Sequence, residues 1–248
     1  TNVRVLLTEL AGDGTIATVN RCSKPLKSPG EYDYISREAD AVQLFDFIAA
    51  IIREVVPKEG HYPLGHTFSF PIDQTGLNTG TLIHWTKEIE TRNVVGQEIT
   101  QLLEEALQRG GLSHVTPKVI LNDTVGTLLT AAYKDQTVDI GSICGTGHNT
   151  AYLEAAAPQT GKPMIINMES GNFDQLPFTP YDDELNANSE KPGNGRLEKM
   201  SSGRYIGELL RLVVCSLLDK GLLAGSQDKE RFHTPNLLNG EDVAIFTG

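Results

Sequence analysis

The chain has 248 residues, 39% of them apolar, which is enough for one large domain or two small ones around a substantial core. Its formal charge of −11 excludes a surface built for nucleic acid or anionic membrane, since such surfaces need a clustered excess of Lys and Arg; any phosphate bound here is small and locally held. No run reaches the roughly 20 consecutive apolar residues of a membrane helix, no signal-peptide pattern opens the chain, and Cys22, Cys144 and Cys215 have no metal-type spacing, which together predict a cytoplasmic protein with structural thiols.

The run Val3, Val5, Leu6, Leu7 and Leu10 is β-prone, and Gly12, Asp13 and Gly14 turn it into a second strand, Ile16 to Val19. From Ser36, read as an N-cap, apolar residues recur at helical spacing through Val42, Phe45, Ile48, Ile52 and Val55 until Pro57. Strands are expected at Leu64 to Pro71 and at Gly80 to Trp85, and a second amphipathic helix at Val95 to Ala106, stopped by Gly110 and Gly111. Val119, Ile120 and Leu121 suit a buried strand that delivers Asn122 and Asp123 to the start of a helix, Val125 to Tyr133. A second hairpin comes next, Ile140 to Cys144 and Thr150 to Leu153, around Gly145, Thr146 and Gly147. Pro177 to Gly195 reads as an exposed excursion, Met200 to Leu218 as the longest helix closed by Gly221, and Ser226 to Gly248 as a weakly patterned tail.

Phosphoryl transfer to an alcohol needs a base near the hydroxyl, a cradle for phosphates, cationic charge at the transferring group and usually Mg²⁺. Asp123 stands where strand meets helix, the place where open α/β sheets put ligands. Taken alone it reads first as a helix cap. The Gly145, Thr146, Gly147 turn offers backbone N–H groups and a hydroxyl to a phosphate, and its plainer account is a tight hairpin. Thr1, Asn2 and Arg4 head the first hairpin and offer the same service. Ser69, Thr86, Asn122, Asn149, Glu169 and Glu198 are of the type that clasps sugar hydroxyls, each beside a strand end, turn or helix start where capping is the alternative. Lys87, after Trp85 and Thr86, is a point charge for a phosphate or a solvated lysine.

Together these segments resemble the hexokinase family, which includes the glucokinases. The run LGHTFSFPIDQTGLNTGTLIHWTK at 64–87 resembles its sugar-binding signature over the whole length. Asn122, Asp123, Thr124, Val125, Gly126 and Thr127 come next in the family's order, then GTGHNTAYLE at 145–154, NMESG at 167–171 and LEKMSSGRYIGE at 197–208. The opening TNVRVLLTEL resembles the stretch after Asp-Leu-Gly-Gly in the first phosphate motif. Ser170 stands where the family usually has Trp, Glu88 where it has Gly, and His66 where an apolar residue is common.

The resemblance implies an α/β, actin-like (ribonuclease H-like) fold in two lobes, with 1–120 the small lobe and 121–248 an incomplete large lobe. It implies that Ser69, Phe70, Thr86, Lys87, Asn122, Asp123, Asn149, Glu169 and Glu198 contact the sugar. Asp123 would deprotonate the 6-hydroxyl and Lys87 would help neutralise the transferring group. Thr1, Asn2, Arg4 and the Gly145 to Gly147 turn would face the ATP phosphates, with Gly203 and Arg204 near the nucleotide. None of these residues is implied as a metal ligand. The chain opens on Thr1 rather than Met, and the family's first-motif Asp would lie before it and the adenosine motif after Gly248, so truncation at both ends is expected. The implied activity is transfer of the γ-phosphate of Mg-ATP to a hexose, glucose first, feeding glycolysis. The alternatives are a sugar-binding or regulatory module without catalysis, motivated by the missing nucleotide segments, and a kinase for another hexose, motivated by Ser170.

Overall fold

The computed structural model describes residues 2–86, 89–158, 161–223 and 229–247. Alternation sets the opening hairpin. Val3, Val5 and Leu7 are half-buried while Arg4, Leu6 and Thr8 face outward along β1 (Asn2–Leu10), which pairs antiparallel with β2 (Ile16–Pro25). The turn needs Gly14 at φ +89°, where a Cβ would also stand 3.2 Å from the carbonyl of Tyr133. A short antiparallel pair comes after it, β3 (Lys27–Ser28) with β4 (Tyr32–Asp33).

Helix α1 (Ala41–Val55) begins at Asp40, not Ser36. Asp40 Oδ1 accepts from the Gln43 N–H at 3.0 Å and Gln43 Oε1 accepts from the Asp40 N–H at 3.0 Å, a reciprocal cap that Ser36 does not make because its own N–H is bound to Asp33 Oδ1. Strand β5 (Tyr62–Thr67) stops four residues short of Pro71. Phe68 and Phe70 leave the ladder to form an aromatic cluster, with centroids 4.9 Å apart and Phe70 edge-on to Trp85 at 4.8 Å. The next hairpin pairs β6 (Ile72–Gly76) with β7 (Thr79–Leu82); β7 ends before Trp85, whose indole N–H is drawn to the carbonyl of Thr91 at 2.8 Å. Helix α2 (Ile99–Arg109) starts after Val95 because the Glu98 carboxylate accepts from the N–H groups of Thr100 and Gln101. Strand β8 (Val115–Leu121) runs parallel to β5, Thr67 opposite Leu121. Helix α3 (Asp123–Lys134) begins directly after it.

Two compact units result: Thr1–Gly126 with Tyr133–Asp135, and Thr127–Ala132 with Gln136–Gly248. The first has a contiguous core in which Leu44, Phe45 and Ile52 of α1, Leu103 and Leu107 of α2, Leu82 of β7 and Ile120 of β8 are buried.

In the second unit β9 (Ile140–Cys144), β10 (His148–Glu154) and β11 (Met164–Asn167) form an antiparallel sheet with β10 central. A 3₁₀ turn, Ser170–Asn172, leads on from it. The stretch after Pro177, expected as an excursion, contains α4 (Pro180–Ala187), made by a capping box: Thr179 and Asp182 exchange side-chain and backbone bonds with Pro180 at the first turn. The single long helix expected over Met200 to Leu218 is two, α5 (Arg196–Ser201) and α6 (Ile206–Asp219), broken at Ser202, which is extended at φ −89° and ψ 153°. At 14 residues α6 is one shorter than α1, so α1 is longer. The tail holds a 3₁₀ segment, Lys229–His233, and α7 (Gly240–Thr247). The three cysteines are free thiols. Among the described residues no helix is long and apolar enough to cross a membrane.

Candidate active site

In the first unit the site is set by two parallel strands that end together. The Phe68 N–H donates to the carbonyl of Leu121 at 2.8 Å, so Ser69 leaves β5 where Asn122 and Asp123 leave β8. That is the carboxyl edge of a parallel pair, where α/β proteins bind ligands. Asp123 is the first residue of α3 and half-buried. Its Oδ1 and the Asn122 Oδ1 both accept from the Thr124 N–H at 2.9 Å, so both residues satisfy a backbone donor at the helix start. Thr86 and Ser69 are half-buried, and Phe70 is held in the aromatic cluster with Trp85. Asn2 and Arg4 lie on the outward face of β1. The predicted roles of Thr1 and Lys87 fall outside the described residues.

In the second unit the structure brings Asn149, Glu169, Glu198 and the Gly145 to Gly147 turn together. Asn149, at the start of β10, donates from Nδ2 to Asn167 Oδ1 at 2.8 Å, and Asn167 donates from its own Nδ2 to Glu169 Oε1 at 2.8 Å. Glu169 sits in the left-handed region at φ +51°, a conformation that costs a non-glycine residue energy and recurs at functional positions. Glu198, in the first turn of α5, accepts from the His148 N–H at 3.0 Å through Oε2. A Cβ at Gly147 would stand 2.7 Å from that same oxygen, so the glycine makes room for the carboxylate.

Helix α5 is anchored by the residue after Glu198. Lys199 is buried, and its ammonium donates to Asn186 Oδ1 at 2.9 Å and to the carbonyl of Lys191 at 2.8 Å. Burial pulls its pKa below the usual lysine range. Gly203 and Arg204 rest on the glycine turn by backbone bonds, from the Gly203 N–H to Gly145 O at 2.7 Å and from the Arg204 N–H to Thr146 O at 3.3 Å. The Arg204 guanidinium is paired with Glu190 at 2.6 Å.

The sequence did not single out Asn167, His148 or Ser201, whose hydroxyl is 3.3 Å from His148 Nδ1. Asn167 ends a four-residue strand that no periodicity marks. The signal was its place in the NMESG segment, two residues before Glu169.

Two family models described as Hexokinase match residues 1–133 and 139–247. Hexokinase-7 of Oryza sativa subsp. japonica is 36% identical over 99% of this chain and 56% of its own length. A crystal structure of hexokinase superposes with a TM-score of 0.82 at 35% identity, covering 99% of this chain and 55% of that one. A hexokinase from Schistosoma mansoni complexed with glucose superposes with a TM-score of 0.70 at 31% identity, covering 96% of this chain and 55% of that one. The chain spans about half the length of the curated relatives it matches and carries the corresponding part of the actin-like ATPase fold. It is a member of the hexokinase family.

Proposed function

We propose that the protein to which these residues belong transfers the γ-phosphate of Mg-ATP to the 6-hydroxyl of a hexose, with glucose the first choice. The observation that carries this reading is the bonded set Asn149, Asn167 and Glu169, with Glu198 beside the same glycine turn, because planar amides and carboxylates in close array suit a polyhydroxylated ring. The first unit takes the part of the small lobe and the second takes part of the large lobe. The glucose bound by the Schistosoma relative supports that sugar as the first to test.

In this mechanism Asp123 accepts the proton of the 6-hydroxyl as its oxygen attacks phosphorus, and the proton stays on the carboxyl until product leaves. Ser69, Thr86, Asn122, Asn149, Glu169 and Glu198 orient the ring, and Lys87 offsets the charge of the transferring group. Asn2, Arg4 and the Gly145 to Gly147 turn face the phosphates. Among the described residues no group of three or more His, Cys, Asp or Glu is placed to hold a metal ion. Mg²⁺ would arrive on the nucleotide, since this ion is bound largely by phosphate oxygens and water. When bound it supplies charge neutralisation across the β- and γ-phosphates.

The test is a coupled phosphorylation assay over a hexose panel with Asp123→Asn beside the unchanged protein, both carried in the full-length enzyme. The turnover number is expected to fall by about 10²- to 10⁴-fold with the hexose still bound. Undiminished turnover would remove Asp123 as the base.

A further inference from the structure

We propose that Asn167 is a positioning residue that fixes which side of the sugar clasp donates and which accepts; the inference rests on reading this cluster as the hexose site. Asn149 Oδ1 accepts from two backbone N–H groups, of Thr150 at 2.7 Å and of Ser170 at 3.3 Å. Backbone N–H groups only donate, so the Asn149 amide has one orientation, oxygen toward them and Nδ2 away. That Nδ2 donates to Asn167 Oδ1, which forces the Asn167 Nδ2 to be the donor toward Glu169 Oε1. The polarity of the whole relay is therefore set by the backbone at its far end.

The ligand is constrained in two ways. Asn149 meets a hydroxyl with its second N–H, so that hydroxyl accepts, while Glu169 meets one with a carboxylate oxygen, so that hydroxyl donates. The bond from Asn167 goes to the side chain of Glu169, whose backbone is left-handed and which lies next to the 3₁₀ turn that supplies the Ser170 N–H. Asn167 itself is assigned no contact with the sugar.

Asn167→Asp keeps the shape and the acceptor but replaces the donor by a second carboxylate against Glu169. Hexose affinity, measured by calorimetry with glucose, is expected to fall roughly 10- to 100-fold at pH 8, the effect of losing a hydrogen bond to a charged group. It should recover as the pH is lowered toward 5, when one proton shared by the two carboxyls restores an O–H donor in place of the N–H. The unchanged protein, titrated in parallel, removes contributions from Glu198 and His148, and equal melting temperatures at pH 8 separate the effect from unfolding.

A loss that does not recover with pH, or no loss, overturns the relay. If the unchanged chain takes up no glucose, the hexose reading fails, and the relay is judged without ligand by side-chain amide exchange in Asn167→Ala. Faster exchange of the Asn149 Nδ2 protons than in the parent upholds it, and equal exchange overturns it.

Discussion

Most of the single residues proposed to carry the chemistry do a structural task as well. Asp123 and Asn122 accept from the Thr124 N–H at the start of α3, so the capping account holds, and the catalytic role proposed for Asp123 is compatible with it. A carboxylate bonded at a helix start is held in position by that bond. Gly147 shows the converse, a residue whose task is to be absent. A Cβ there would stand 2.7 Å from Glu198 Oε2, so Gly147→Ala is expected to push the carboxylate off the His148 N–H and weaken hexose binding by about 10-fold, the effect of one charged hydrogen bond. Calorimetry with glucose reads this, and a bound-state affinity equal to the parent's would show that the Glu198 position does not matter. The sequence offered Asp123, Asn149, Glu169 and Glu198, the last three of which the structure brings together, as candidates because their types stand out beside turns. It left Asn167 hidden because its role lies in two bonds to neighbours 18 and 2 residues away, which no local pattern encodes.

At the scale of elements, the hairpins and the main helices α1, α2 and α6 follow from period and turn chemistry, while their ends follow from side-chain caps that apolar spacing does not register. Asp40, Glu98 and Thr179 set three starts that periodicity alone misplaces or misses. For α4, Thr179→Ala removes one half of a capping box and is expected to cost about 1 kcal/mol, read as a lower melting temperature of the second unit. No change would mean that α4 is held by packing alone. Strand β5 holds a different exception. His66 Nδ1 is buried without a hydrogen-bond partner, and burial pushes the imidazole pKa down to about 4 from 6.5. The folded form thus prefers the neutral ring, and the unfolded chain takes up the proton first as pH falls. Stability is full above about pH 6.5, declines between 6.5 and 4, and levels off below. Its total loss is at most roughly 3 kcal/mol, since the residue keeps part of its surface exposed. His66→Phe should flatten that stretch of a denaturant-midpoint profile against pH; an unaltered slope would assign the acid sensitivity to other groups.

For the whole molecule, the first unit has one contiguous core from α1, α2 and β8, while the second relies more on polar anchors such as Lys199 and the Arg211 to Glu208 pair at 2.6 Å. The family, and with it the fold, was legible because five motifs stand in order along the chain. The wiring of each local cluster was not legible, since β11 and the break between α5 and α6 depend on contacts distant in sequence. At the centre stands the proposal that the Asn149, Glu169 and Glu198 cluster of the second unit clasps a hexose. Calorimetric titration of the 248-residue chain with glucose, alongside Glu169→Ala and Glu198→Ala, is the sharpest test of it. Saturable heat is expected for the parent, with an affinity lowered by about 10-fold or more in each variant. Parent affinity retained in either variant, or no heat from the parent, would contradict it.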